Sequence, residues 1–159
     1  MTLVNVSGLD KTLKNLNETV EKIEGKTLKG LIRAVIEIRR TSNKDIPKIP
    51  VDTGNLRASW FTVTSKGSIQ AGASPNFKGD GSSKLGNSHS ATLSDVKSMK
   101  VVSEGPFLLF GYSAYYAVYV HEAVEKTFNR EGAGALFLQT AIDNNWDVII
   151  GKIAKEAKI

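Results

Sequence analysis

A chain of 159 residues, 41% hydrophobic and 23% charged, has the size and balance of one domain able to bury a core without covalent staples. It contains no cysteine, which excludes a disulfide framework, a thiolate zinc site and a thiol nucleophile. The net charge of +5 permits a nucleic-acid neighbour without demanding one, and no apolar run approaches the roughly 20 residues of a membrane span. The N-terminus lacks a basic segment leading into an apolar core, so a signal peptide is not expected.

Leu3-Val4-Asn5-Val6 reads as a short edge strand broken at Ser7-Gly8, with Ser7 or Asp10 as the cap of a helix. Leu9, Leu13, Leu16, Val20 and Ile23 recur at steps of four and three, one face of an amphipathic helix whose other side carries Lys11, Lys14, Asn17, Glu18 and Glu21. Beyond Gly25 the stripe continues through Leu28, Leu31, Ile32, Val35, Ile36 and Ile38, as one kinked helix or as a pair. Arg33, Arg39, Arg40, Lys44 and Lys48 make its end basic, which opposes the helix macrodipole; an acidic partner or a phosphate is the sharper alternative.

Pro47 and Pro50 stop the helix, because each lacks an N–H and its ring clashes with the preceding turn. Asp52-Thr53-Gly54 is turn chemistry, with Asp52 bonded locally or paired with Arg57. Leu56, Ala58 and Trp60 alternate with Arg57, Ser59 and Phe61, which predicts a strand over 56–63. Asp-Thr-Gly is also the signature of aspartic peptidases. That chemistry needs two carboxylates sharing one proton, so Asp52 would have to come from both halves of a homodimer. A helical pattern running into Pro50, and Asn55-Leu56-Arg57 where a small residue usually stands, argue against it.

Residues 65–98 are rich in Ser, Gly, Asn and Lys and deny any steady period, so they read as an extended loop or ragged hairpin insertion. Read blandly this is a solvated insertion; read sharply it is an arm that orders on a neighbouring subunit or points into a channel that carries DNA, with Lys66, Phe77, Lys78 and Lys84 as the candidate residues. Val101-Val102 and Phe107 to Gly111 return to strand texture, antiparallel to 56–63 because the connections lack crossover helices. Ser113 caps a short helix through Tyr115, Tyr116, Tyr119, His121 and Glu122; the tyrosines carry large apolar area with a polar tip, which suits a subunit interface. His121-Glu122-Ala123-Val124-Glu125 lacks the second histidine of a zinc-peptidase helix, so His121 reads as packed or hydrogen-bonded. Gly132-Ala133-Gly134 is too short to cradle a phosphate. Leu138, Ala141, Ile142, Trp146, Ile149, Ile150 and Ile153 predict one long C-terminal helix, with Lys152, Lys155 and Lys158 on its wet side. The expected class is α+β: a long N-terminal helix or helix pair and a long C-terminal helix on a small antiparallel sheet, in a single domain over 1–159, with no cofactor or metal site.

Four segments, taken in order, resemble the tail-completion or neck (head–tail joining) proteins of long-tailed bacteriophages. They are the Gly8-Leu9 helix start, Pro50-Val51-Asp52-Thr53-Gly54-Asn55-Leu56-Arg57-Ala58-Ser59, Tyr116-Ala117-Val118-Tyr119-Val120-His121-Glu122, and Phe137-Leu138-Gln139-Thr140-Ala141. The chain departs from the family pattern at His121-Glu122-Ala123, where a Val-Glu-x-Gly-Thr-like turn is usual, and at Gly134-Ala135, where the last helix usually begins with proline. The resemblance implies helices on an antiparallel sheet and a non-catalytic virion protein, assembled in the host cytoplasm. It implies a homo-oligomeric ring of six between head-closure or connector proteins and the tail tube or terminator, with genomic DNA passing its lumen without sequence specificity. On that reading Pro50, Asp52, Thr53, Gly54, Leu56, Arg57 and Ser59 set the motif turn and strand. A basic nucleic-acid-binding module is the remaining alternative, weakened because no basic stripe is interleaved with exposed aromatics.

Overall fold

The computed structural model describes residues 9–67, 69–71, 75–98 and 105–158. The expected strand at Leu3–Val6, the Ser7 cap, the Asp10 side chain and the Val101-Val102 segment lie outside the described residues and side chains.

The fold is α+β. The first element is one helix, α1 (Leu9–Lys44), continuous through Gly25 rather than a pair. A single helical turn, α2 (Asn55–Ala58), then leads into β1 (Trp60–Thr64) and β2 (Ile69–Ala71). Next come α3 (Ser82–Ser98), β3 (Leu108–Tyr112), a short α4 (Ala117–His121), and the closing pair α5 (Phe137–Asp143) and α6 (Trp146–Ala157). The strands form one antiparallel sheet in the order β2-β1-β3, with Phe61 opposite Ala71 on one side and Gly111 on the other. Gly111 makes room for the Phe61 ring, since a Cβ there would lie 3.1 Å from it.

Both faces of the sheet are covered, which is why Phe61, Thr62, Val63 and Thr64 are all buried in succession. On one face Phe110 packs against Ala34 and Ile38 of α1 and Ile149 of α6. On the other, Phe61 and Val63 pack against Val96 and Leu93 of α3. A third cluster, Ile49, Leu56, Leu85, Ala114 and Phe137, closes the end where the chain leaves α1. α6 lies along α1, and Gly30 lets the two backbones meet: a Cβ there would fall 2.8 Å from Ile153 Cα.

Three expectations are corrected. Residues 82–98 of the supposed 65–98 loop are a helix. Leu85, His89 and Val96 face inward with Thr92 and Leu93 half-buried beneath them, a helical spacing disguised by polar side chains and by Gly86. The expected hairpin does exist, but only at β1–β2. Second, residues 55–58 are helical rather than extended. Gly54 takes φ 86°, and Ala58 and Ser59 N–H groups donate to Gly54 and Asn55 carbonyls, so the strand begins at Trp60. Third, the C-terminal helix is two. The Asn145 amide donates to the Ala141 carbonyl at 3.0 Å, and the Asn145 backbone N–H to Ile142. That side chain competes with the helix ladder and breaks it, which leaves Trp146 and Ile150 exposed rather than in the stripe.

Candidate functional site

Four of the five cations at the end of α1 have internal partners. Arg33 and Lys29 pair with Glu156 of α6. Arg40 and Lys152 pair with Glu37, whose carboxyl is held below the usual carboxylate range chiefly by its bond to Arg40. The Arg39 guanidinium lies 3.5 Å over the Trp60 ring, a cation–π contact between α1 and the sheet. Lys48 Nζ donates to the Glu131 carbonyl. The basic cluster is thus largely spent on stapling α1 to its neighbours.

The corner beyond α1 is held by backbone and by two polar side chains. Arg130 donates to the carbonyls of Asn43, at 2.6 Å, and Ile49, at 2.8 Å, gripping the chain on both sides of the proline-stopped turn. Lys48 and Ala133 form a parallel bridge that ties the same segment to 130–134. Asn55, buried, makes a paired contact with the backbone of Lys78: its amide donates to the Lys78 carbonyl and its carbonyl accepts the Lys78 N–H, both at 2.9 Å. That pair seats the segment leading into α3, and sequence reasoning assigned Asn55 no role of its own. Asp52 is exposed, and among the described residues it makes no ion pair with Arg57, which is exposed as well. Ser59 is wholly buried, its hydroxyl donating to the Leu56 carbonyl and accepting the Ala114 N–H.

Ser59 opens a polar lattice through the core. Ser113 is not a helix cap; its hydroxyl donates to the Ser59 carbonyl at 3.0 Å, and its N–H to the same oxygen at 2.9 Å. With its one proton so committed, Ser113 Oγ accepts from His89 Nδ1 at 2.6 Å. Ser88 donates to the Ser113 carbonyl. The polarity is the reverse of a serine nucleophile deprotonated by histidine. Burial pushes the His89 imidazole below its ordinary range, toward the neutral form. The lattice joins α2, α3 and the end of β3.

The corner and the tyrosine segment come together. Pro50 to Leu56, Tyr116, Val120 and residues 126–129 line a cleft of about 360 Å³ with Asp52 as its one carboxylate among the described residues. Burial raises the Tyr116 phenol above its ordinary range, with smaller contributions from Tyr115 and Asp52. Tyr115, Val118 and Tyr119 point outward and are exposed. Beside Val118 lies a largely apolar hollow of about 210 Å³ lined by Tyr112, Ala117, His121, Glu122, Phe137 and Leu138. His121 is packed and hydrogen-bonded as read from sequence: its ring stands edge-on to Phe137 and its Nδ1 lies 2.7 Å from Glu122. Its Nε2 is buried without a hydrogen-bond partner among the described residues.

Of the four loop candidates, Lys66, Lys78 and Lys84 are exposed and Phe77 is not. Lys66 is exposed in the β1–β2 turn. Phe77 does not face outward; it packs on the Ile49–Leu56–Phe137 cluster and stands edge-on to His89. Lys78 is anchored through its backbone, and Lys84 sits on α3 with its ammonium 4.1 Å over the Tyr115 ring. Among the described residues no three His, Asp or Glu side chains are grouped to hold a metal ion, and no helix is long and apolar enough to cross a membrane. Comparison with family models, curated proteins and solved structures finds no match.

Proposed function

We propose that this chain is a structural, non-catalytic joint of a phage neck, assembling with copies of itself into a ring between head-closure proteins and the tail. The observation that carries the reading is the convergence of three of the four segments behind the resemblance. Leu56 of the corner, Tyr116 and Val120 of the tyrosine segment, and Phe137 and Leu138 of the last segment meet in one core cluster. Residues widely separated along the chain thus form one rigid unit, with its polar groups turned to holding backbone. Rigid presentation of an outer surface is what a joint requires, and Tyr115, Val118 and Tyr119 supply that surface. Among the described residues the cleft holds no second carboxylate with which Asp52 could share a proton in one chain.

The test is the mass of the purified chain across concentration, together with electron microscopy of the assembly and localisation in intact particles. Rings, and density for the chain between portal and tail tube, are expected. A monomer at every concentration with no copy in particles overturns the proposal. Cleavage of test peptides that is lost in Asp52→Asn with folding intact would put a peptidase in its place.

A further inference from the structure

The first part of α1 stands clear of the body. Lys26 Nζ reaches the Lys158 carbonyl just beyond the end of α6, and residues 13–22, which precede it, are exposed at every position. Yet this arm keeps an apolar stripe: Leu13, Leu16 and Val20 are between 45% and 57% exposed, and Ile23 continues the line. An isolated helical stripe of this kind gains nothing in water; its packing face needs a cover.

The same chain carries a second uncovered apolar surface. Tyr115, Val118 and Tyr119 are between 54% and 74% exposed, and the hollow beside Val118 is large enough to seat an aliphatic side chain. Charge is complementary as well. Lys84 and Lys126 rim the patch, their ammonium groups 4.1 and 4.3 Å over the Tyr115 and Tyr119 rings, with no carboxylate paired to either among the described residues. On the arm, Glu24 borders the stripe at helical spacing, with Glu21 farther round the helix beside Lys14, and Glu24 enters no ion pair among the described residues. Together the two surfaces offer roughly 600 Å² of apolar area. At the usual apolar share of an interface, that corresponds to a contact of about 1,000 Å², the size at which specific association begins.

We infer that the arm of one copy, through Leu13, Leu16 and Val20, docks on the Tyr115–Val118–Tyr119 patch of a second copy, with Glu24 facing its lysine rim. The two surfaces differ, so the contact is head-to-tail, and such a contact repeats until it closes a ring or extends a filament. The inference rests on the self-assembly part of the proposed function.

The absence of native cysteine makes the contact directly readable. Leu16→Cys and Val118→Cys, each at an exposed position, are purified separately, mixed and oxidised mildly. The mixture is expected to yield a disulfide-linked dimer of one variant with the other as the main product, with little from either variant alone. A double variant, oxidised, is expected to give a covalent ladder. Dimerisation of Leu16→Cys with itself points to a symmetric pairing of arms and overturns the inference. Rings of wild-type mass that give no cross-link also overturn it, while leaving the proposed joint standing. A ladder that forms open chains and never closes supports the docking and removes the ring. A monomer without cross-links at any concentration removes both.

Discussion

Two glycines on α1 make a matched pair for testing how α1 and α6 fit. Gly25 and Gly30 both sit in helix interior, where glycine costs about 1 kcal/mol relative to alanine. At Gly25 an added Cβ meets nothing within 4 Å, so Gly25→Ala is expected to stabilise by about 0.5–1 kcal/mol. At Gly30 the same methyl would lie 2.8 Å from Ile153 Cα and 2.9 Å from its carbonyl oxygen, where ordinary contact begins at 3.4 Å. The obstruction is backbone, so no rotamer relieves it. α6 must move, against the Glu156 pairs with Lys29 and Arg33 and the Lys152 pair with Glu37. Overpacking of this kind costs about 1–3 kcal/mol, and after a propensity gain of about 1 kcal/mol Gly30→Ala is expected to destabilise by up to about 2 kcal/mol net. The twin substitutions should therefore differ by about 2 kcal/mol in opposite directions, or several degrees in midpoint temperature at this chain length. Urea titration reads both, with an unchanged slope showing that the midpoint shift is a change in stability and not in the surface exposed on unfolding. If both variants rise together by the propensity increment, the close approach of the two helices is wrong.

The remaining predictions concern the core lattice and the corner. His89 is held toward its neutral form in the folded chain, so the unfolded chain binds more protons around and below pH 6.5. Stability is therefore expected to be full above that pH and to fall as pH drops through it, by at most about 1.4 kcal/mol per pH unit for one proton. His89→Leu should flatten the part of the profile due to this group, as measured by denaturation on either side of about pH 6.5. Asn55→Asp keeps an acceptor for the Lys78 N–H but sets a carboxylate against the Lys78 carbonyl, and is expected to cost about 1–3 kcal/mol with faster hydrogen exchange at the Lys78 amide. Arg130→Met strands the Asn43 and Ile49 carbonyls and should destabilise by about 1–3 kcal/mol, with protease cutting appearing first at residues 44–50.

Where the chain has a strong period, the residues alone reveal the element. α1 is legible because its apolar spacing runs on with no competing pattern, and β3 because Phe107 to Phe110 is an unbroken apolar run. α3 is hidden for a physical reason: the face it turns inward meets polar groups as well as Phe61 and Val63, so His89 and Ser88 serve the lattice where leucines would have announced a helix. Its Leu85, His89, Thr92 and Val96 spacing was present all along. The corner was found by its prolines, but the partners of Asn55 and Arg130 lie 23 and more than 80 residues away and leave no local mark. The split between α5 and α6 turns on one asparagine hydrogen bond within an uninterrupted apolar rhythm.

The Arg130 clasp closes on main-chain oxygens alone. It reads nothing of Lys44 or Asp45, whose exposed side chains are free to drift without loosening the bend. Position 130 has no such latitude, since a lysine offers one ammonium where a planar fork spans two carbonyls. Distant kin of this chain are therefore better sought by a solitary arginine 81 residues beyond Ile49 than by the charged run that first draws the eye.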